Sequence, residues 1–198
     1  MKILITTPGG TIARRIVPEL LAPEFSVRVI SRNPDRLEFR EHVEIARGST
    51  DNVAALSRAL DGVDAMFWCI PRAPIGETNL HAYFERFARA ASQAIRDSET
   101  PRVVSISASP ISTLHAAEEI LNDSGAAVRH LRCAWFTESF SVPVAAHPAD
   151  VSGPVTVVND IADHALRLLV RTDWHGVEAI SIPGPNDLYF AFAAIALK

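Results

Sequence analysis

The sequence predicts an α/β fold in which helices cover both faces of a doubly wound, mostly parallel sheet. Short β-rich runs alternate with amphipathic runs along the chain, and the β-rich runs are apolar almost throughout. Continuous apolar strands are typical of parallel sheets, because helices bury them on both faces. A third observation is a glycine turn between the first strand and the first helix, which makes the predicted fold Rossmann-like.

Seven β-rich runs define the predicted strands, at residues 2–6, 26–30, 43–46, 63–69, 102–107, 128–132 and 177–182. Between them, apolar residues at steps of three and four predict helices over 52–60, 79–96, 111–122 and 159–170. Ser109 and Pro110 suit the start of the third of these helices, and Asn159 or Asp160 suits the cap of the fourth. The proline-containing segments 71–76 and 143–154 are predicted loops.

Composition favours one soluble, cytoplasmic domain over residues 1–198. The chain is 48% apolar, with a net charge of −4 and a pI near 6.0, which argues against nucleic acid or an anionic membrane as partner. Cys69 and Cys133 lie in apolar stretches and are predicted to be buried thiols. We expect no signal peptide and no membrane span, since the longest strongly apolar stretch, 188–197, is far shorter than the ~20 residues required.

The glycine turn is a degenerate form of the dinucleotide-binding fingerprint. Its three small-residue places hold Thr7, Gly10 and Ala13, and Pro8 and Gly9 lie between the first two. Glycines there let the backbone approach a pyrophosphate. Threonine departs from the pattern, because a tight turn at this place favours a residue without Cβ. The cofactor-binding interpretation is preferred to an ordinary βα turn, since the turn follows the first strand.

The end of the second predicted strand favours NADP over NAD. An NAD site places a carboxylate there for the ribose 2′-hydroxyl, whereas this chain has Arg32, whose guanidinium can bind a 2′-phosphate. Ser31, Asn33 and Arg36 are candidates for further donors, and Arg14 or Arg15 for the other side of the site. The alternative for each arginine is a solvated surface charge.

Several motifs in order resemble one known family. The opening ITTPGGTIARRIVPELL and the run VISRNPDRL are followed by ALDGVDAMFWCIP, PRVVSISAS, EEILNDSGAAVRHLRCAWFTESF, NDIADHALRLL and ISIPGP. Together they resemble the NmrA-like branch of the atypical short-chain dehydrogenase/reductase family. The resemblance implies a Rossmann fold and NADP(H) binding. Some members reduce quinones or other small carbonyl and alkene compounds, and others are redox-sensing regulators without turnover.

The resemblance also assigns roles to individual residues. Gly10, Thr11 and Ile12 match the phosphate turn, and Arg32 matches the 2′-phosphate arginine. Gly48 and Ser49 match the pair that contacts the adenine, and Ile70 and Pro71 match the residues beside the cofactor ribose. Ser107 matches the first serine of the pair after the fifth strand. Trp135, Phe136 and Glu138 match the loop that flanks the nicotinamide and the substrate. With Thr7, Gly9 and Asn33 from the turn and the second strand, these residues form the predicted site.

Two departures from the family limit the predicted chemistry. The only lysines are Lys2 and Lys198 and the only tyrosines are Tyr83 and Tyr189, so no YxxxK pair exists for acid–base catalysis. The chain also ends where the family continues, which implies a shortened C-terminal substrate region. The apolar stretch 188–197 is expected to form a final helix, buried on its own sheet or, alternatively, in a homo-oligomer.

Other catalytic classes find little support. The seven histidines show no HxH or HExxH spacing, so no metal is expected, and a GxSxG elbow is absent. Ser107 and His115 are the weak candidates for a catalytic role. The sequence therefore predicts an NADP(H)-binding oxidoreductase that reduces a small apolar electrophile such as a quinone. The alternative is a non-catalytic NADP(H)-binding regulator that acts through a protein partner.

Overall fold

The computed structural model describes residues 1–108, 112–136 and 155–182. Its strands are β1 (Lys2–Ile5), β2 (Ser26–Ser31), β3 (Glu44–Arg47), β4 (Ala65–Trp68), β5 (Arg102–Ala108), β6 (Ala127–Cys133), β7 (Trp135–Phe136), β8 (Val155–Thr156) and β9 (Val177–Ile182). Its helices are α1 (Ala13–Glu19), α2 (Val53–Leu60), α3 (Leu80–Ser98), α4 (Ser112–Asn122) and α5 (Val158–Val170). Single 3₁₀ turns lie at Pro34–Arg36 and Arg40–His42.

Seven strands form one parallel sheet in the order β3-β2-β1-β4-β5-β6-β9. The chain therefore moves outward from β1 in one direction, returns to pair β4 with β1, and then moves outward in the other. This reversal leaves a crevice beyond the carboxyl ends of β1 and β4, which is where doubly wound sheets bind ligands. Strands β7 and β8 form a separate parallel pair.

Helices cover both faces of the sheet. On one face, α1 and α5 pack over a core cluster that includes Ile5, Phe67 and Leu131. On the other face, α2, α3 and α4 pack over a second cluster, which includes Leu4, Met66 and Val103. Because successive residues of a strand point to opposite faces, the near-continuous apolar strands supply both clusters at once.

The predicted fold class is confirmed, and each predicted strand and helix in the described residues is present within two residues at either end. The predicted cap of α5 is wrong. Val157 precedes the helix in an extended conformation, and Asn159 and Asp160 lie inside it. The start of α5 is set by the burial of Val158, and the Asn159 side chain accepts a hydrogen bond from Arg15. Ser109, Pro110, the loop 143–154 and the stretch 188–197 lie outside the described residues.

Within the described ranges, no helix combines the length and the apolar character that a membrane crossing requires.

Candidate functional site

A groove of about 150 Å³ lies at the carboxyl edge of the sheet, beside β1. Its walls come from the residues that follow four adjacent strands. They are Thr7, Pro8 and Gly9 after β1, Ile30, Ser31 and Arg32 at the end of β2, Gly48, Ser49 and Thr50 after β3, and Pro71 after β4. Six of these ten residues were predicted as cofactor contacts from sequence: Thr7, Gly9, Arg32, Gly48, Ser49 and Pro71.

The turn after β1 is closed by backbone hydrogen bonds. The Gly10 N–H donates to the Thr7 carbonyl at 2.9 Å, and the Arg14 N–H donates to the Gly10 carbonyl at 3.0 Å. A Cβ on Gly10 would lie 3.1 Å from the Thr7 oxygen, so a side chain there would crowd the turn and glycine fits it without adjustment. A Cβ on Gly9 would meet only Leu37, at 4.0 Å. Gly9 therefore has room for a Cβ beside Leu37, and its backbone lines the groove.

Arg32 supplies positive charge to the groove. Among the described residues, no carboxylate lies within ion-pair distance of its guanidinium. The nearby acids have other partners, since Asp35 pairs with Arg40 and Arg47 and Glu38 pairs with Arg14. An exposed arginine without a protein anion can bind a phosphate at little desolvation cost.

The segment after β3 fixes the far wall of the groove. Gly48 packs so closely on α2 that a Cβ there would lie 2.6 Å from the Ala55 Cβ. The Gly48 N–H also donates to the Ser31 carbonyl at 3.1 Å, and the Ser49 hydroxyl bonds to Asp51. Asn52 caps α2 by accepting from the Ala55 N–H. Gly48 therefore sets the spacing between the groove and α2.

A second, much smaller cavity of about 10 Å³ lies between β4, β5, β6 and α4. Ile70 and Ser107, both predicted to lie near the cofactor, line it rather than the groove. The segment 69–72 therefore separates two cavities, because Pro71 faces the groove and Ile70 faces the smaller space.

The smaller cavity borders a buried ion pair between α4 and β6. Arg132 Nη2 and Nε donate to the two Glu118 oxygens at 2.7 and 3.1 Å. Burial by itself raises the pKa of Glu118, which is 6% exposed, but the two hydrogen bonds and the positive charge of Arg132 outweigh burial and hold this pKa below its ordinary value. The carboxylate therefore stays ionised at neutral pH.

Two polar atoms near this pair are buried without a hydrogen-bond partner at good geometry: Ser107 Oγ and His115 Nε2. Ser107 is 4% exposed at the end of β5, and His115 lies one turn before Glu118 on α4. Because α4 runs back from the carboxyl edge of the sheet, both residues lie towards the edge at which ligands bind. Buried orphan groups of this kind are rare, and they are found where a ligand or water completes the hydrogen bonding.

His130 uses both of its ring nitrogens in hydrogen bonds between β5, β6 and α4. Its Nδ1 lies 2.6 Å from Ser105 Oγ and its Nε2 lies 2.8 Å from Asn122 Oδ1. Burial lowers the pKa of His130, although the Glu118 charge opposes this shift. A neutral imidazole that accepts from Ser105 and donates to Asn122 satisfies all three groups.

The remaining predicted residues lie outside both cavities. The Ile12 side chain is buried in the α1–α5 core, and Thr11 and Asn33 are exposed without lining the groove. Phe136 packs against the same core, Trp135 is placed by its backbone in β7, and Glu138 lies outside the described residues. Arg14 and Arg15 line a different groove between α1 and α5, and Arg36 lines neither cavity.

Three groove residues were not singled out from the sequence: Pro8, Ile30 and Thr50. All follow or end strands, so the rule that ligands bind beyond carboxyl ends covers their positions.

Burial raises the pKa of the Cys69 and Cys133 thiols to about 12, which leaves both protonated and unreactive at neutral pH. In the part of the chain that the structure describes, no three His, Cys, Asp or Glu side chains group as metal ligands would.

One curated relative is similar to a third of the chain. A curated relative, (4-alkanoyl-5-oxo-2,5-dihydrofuran-3-yl)methyl phosphate reductase of Streptomyces griseus, is 42% identical over 66 residues, which are 33% of this chain and 23% of that protein. The match therefore spans about a quarter of the relative's length.

Solved structures share the fold. Triphenylmethane reductase of Citrobacter sp. superposes with a TM-score of 0.77 at 17% identity, over 94% of this chain and 70% of that one. The NADPH-dependent quinone oxidoreductase QOR2 of Escherichia coli, solved with NADPH, gives 0.68 at 20% identity, over 92% and 69%. Residues 9–172 match the family described as NAD(P)H-binding, a range that runs from Gly9 in the glycine turn through helix α5. The chain belongs to this NAD(P)H-binding family.

Proposed function

We propose that this protein is an NADP(H)-dependent reductase of the NmrA-like type that acts on a small, largely apolar electrophile such as a quinone. The observation that carries the proposal is the groove itself. It brings the glycine turn, Arg32, which has no ion-pair partner among the described residues, and the Gly48–Ser49 corner to one edge of the sheet. This arrangement fits the adenosine half of NADP(H), with Arg32 on the 2′-phosphate and Gly9 against the pyrophosphate.

The acceptor would lie at the carboxyl edge of the sheet, beyond the segment 69–72. The cofactor supplies hydride when bound, and the protein supplies position. Ser107 and His115 offer two buried, unpaired polar atoms that could hydrogen-bond an acceptor oxygen as charge develops on it. Ile70 supplies apolar surface, and the predicted substrate loop with Trp135, Phe136 and Glu138 would complete the pocket.

A quinone suits this site because its reduced oxygens are weak bases and need little acid catalysis. The curated relative is named as a reductase of a phosphate ester whose ring holds an alkene conjugated to a carbonyl, which is a second electron-poor acceptor. Both classes accept hydride without a Tyr–Lys pair. Of the residues that could form one, Tyr83 donates its hydroxyl to the Pro71 and Arg72 carbonyls, and Lys2 pairs with Glu44.

The groove equally favours a second candidate, a non-catalytic NADP(H)-binding regulator that acts through a protein partner.

Stopped-flow absorbance at 340 nm tests the reductase. We expect quinones and butenolides to oxidise the NADPH that is bound to the protein. Ser107→Ala and His115→Phe should each lower the turnover rate about 100-fold or more, as the loss of one donor to a developing oxyanion costs about 100- to 1,000-fold, with NADPH affinity retained. His175→Phe, at an exposed position before β9, is the matched control.

The panel also separates the two candidates. Tight NADPH binding without turnover on any acceptor would contradict the reductase and support the regulator. Turnover that is unchanged in both variants would remove Ser107 and His115 from the mechanism.

Two glycine substitutions distinguish the cofactor surface from the structural framework. Gly9→Ala adds a methyl group that meets only Leu37, at ordinary contact distance, so we expect the free energy of unfolding in urea to change by less than about 1 kcal/mol. Because Gly9 lines the groove, the added Cβ should keep a pyrophosphate from approaching its backbone, and NADPH affinity should fall about tenfold or more, or ~1.4 kcal/mol. Gly48→Ala must push into Ala55. It should destabilise the fold by about 1–3 kcal/mol through overpacking. Full NADPH affinity in Gly9→Ala would contradict the proposed pyrophosphate position.

A further inference from the structure

Thr7 has a backbone conformation that usually requires glycine. Its φ is +50°, and among the described residues only Glu99, at +55°, is another non-glycine with positive φ. A β-branched residue is strained there, because its Cβ crowds the backbone. In the dinucleotide-binding fingerprint this place holds a glycine, which has no such strain. The chain therefore keeps threonine where glycine would relax the backbone.

Hydrogen bonds from side chains accompany this strain. Thr7 Oγ1 donates to the Cys69 carbonyl at 2.6 Å. Its neighbour Thr6 donates to the Phe67 carbonyl at 3.0 Å and accepts from the Cys69 N–H at 2.9 Å. These contacts join the end of β1 to the end of β4. Glycine at position 7 could not make the Thr7 contact, since it lacks the hydroxyl.

The segment that Thr7 holds is also fixed from its other side. The Tyr83 hydroxyl, on the buried face of α3, lies 3.3 Å from the Pro71 carbonyl and 3.4 Å from the Arg72 carbonyl. Burial raises the pKa of Tyr83, so the phenol stays a neutral donor. Residues 69–72, which separate the groove from the smaller cavity, are thus held at both ends by side-chain hydroxyls.

We propose that Thr7 is a positioning residue for the cofactor, whose hydroxyl holds the segment 69–72 at the place where the two halves of the dinucleotide meet. This role rests on the proposed function, because it requires NADP(H) in the groove. The adenosine half would lie against Arg32 and Ser49. The remainder of the cofactor would continue along the carboxyl edge of the sheet, past the segment 69–72. A preformed wall there lowers the ordering cost of binding.

The test compares Thr7→Gly with Thr7→Ser. Serine keeps the hydroxyl, and we expect its NADPH affinity to stay within about twofold of the unsubstituted protein. Glycine relieves the strain but loses the hydrogen bond, so its urea midpoint should stay close to that of the unsubstituted protein while NADPH affinity falls about fivefold to tenfold. Titration with 2′,5′-ADP, which carries only the adenosine half, should show a clearly smaller loss.

The outcomes separate the role of Thr7 from the proposed binding of NADP(H). If Thr7→Gly binds NADPH as tightly as the unsubstituted protein, or loses NADPH and 2′,5′-ADP to the same extent, Thr7 does not act through the segment 69–72 and the proposal is overturned. If the unsubstituted protein binds neither nucleotide in calorimetry, the proposed function fails, and the role of Thr7 fails with it. A parallel fall in urea midpoint and NADPH affinity would assign Thr7 a structural role alone and would also overturn the proposal.

Discussion

Arg32→Ala should weaken NADPH binding by about 10- to 100-fold and leave NADH binding within about twofold. A hydrogen bond to a charged group contributes about 1.5–3 kcal/mol, and each ~1.4 kcal/mol is a factor of ten in affinity. Only NADPH carries the 2′-phosphate, so only NADPH loses this contact. The measurement is titration of both nucleotides by intrinsic tryptophan fluorescence. Higher ionic strength should narrow the difference, since the guanidinium is exposed.

Arg36→Ala is the matched control for this prediction. Arg36 is also exposed and lies four residues further along the chain, but it does not line the groove. Its substitution should change the affinity for either nucleotide by less than about twofold, as expected for a screened surface charge. An equal loss of NADH and NADPH in Arg32→Ala would contradict the assigned 2′-phosphate contact, as would tighter binding of NADH than NADPH by the unsubstituted protein.

Arg132→Met should destabilise the protein by about 3 kcal/mol at pH 7, because it leaves the buried Glu118 carboxylate without its partner. We take the lower end of the range for buried pairs, since the Arg132 side chain is 34% exposed. Urea unfolding monitored by circular dichroism measures the loss. The double variant Arg132→Met with Glu118→Gln removes the charge and should recover much of it.

The pH dependence of this loss has a definite sign. In the unsubstituted protein the pKa of Glu118 is depressed, so its stabilising contribution is complete above the ordinary value of 4.5 and is lost as pH falls through the folded value. Without Arg132, burial dominates and should raise the pKa above 4.5. The variant then takes up a proton on folding, and its deficit should shrink as pH falls from 7 towards 5. A deficit that stays constant over this range would show that lost packing, rather than an unpaired carboxylate, causes the destabilisation.

The sequence predicted the layered fold and the general position of the site. Apolar runs such as 2–6 and 102–107 identify strands buried on both faces, and strand ends locate the ligand edge without knowledge of strand order. This is why Thr7, Arg32 and Gly48 were found, although they lie far apart in sequence.

Contacts between distant side chains could not be predicted in this way. Periodicity places Glu118 on a helix and Arg132 on a strand, but it does not indicate that they pair. The α5 cap was wrong for a similar reason, since Asn159 has a suitable side chain for a cap but is bound by Arg15 from α1. The left-handed backbone at Thr7 could not be predicted either, because the hydrogen bond that its own hydroxyl donates to the distant Cys69 carbonyl offsets the local preference for glycine.

Strand β3, at one border of the sheet, has a consequence for how copies of this protein can associate. Its ends carry Glu44 and Arg47, which are well exposed, and Arg28 and Lys2 hold the Glu44 carboxylate in place. Charges along a short border strand oppose the open-ended pairing of backbones that leads to fibrils. We therefore expect strand β3 to resist edge-to-edge pairing between copies of the protein, even at high protein concentration.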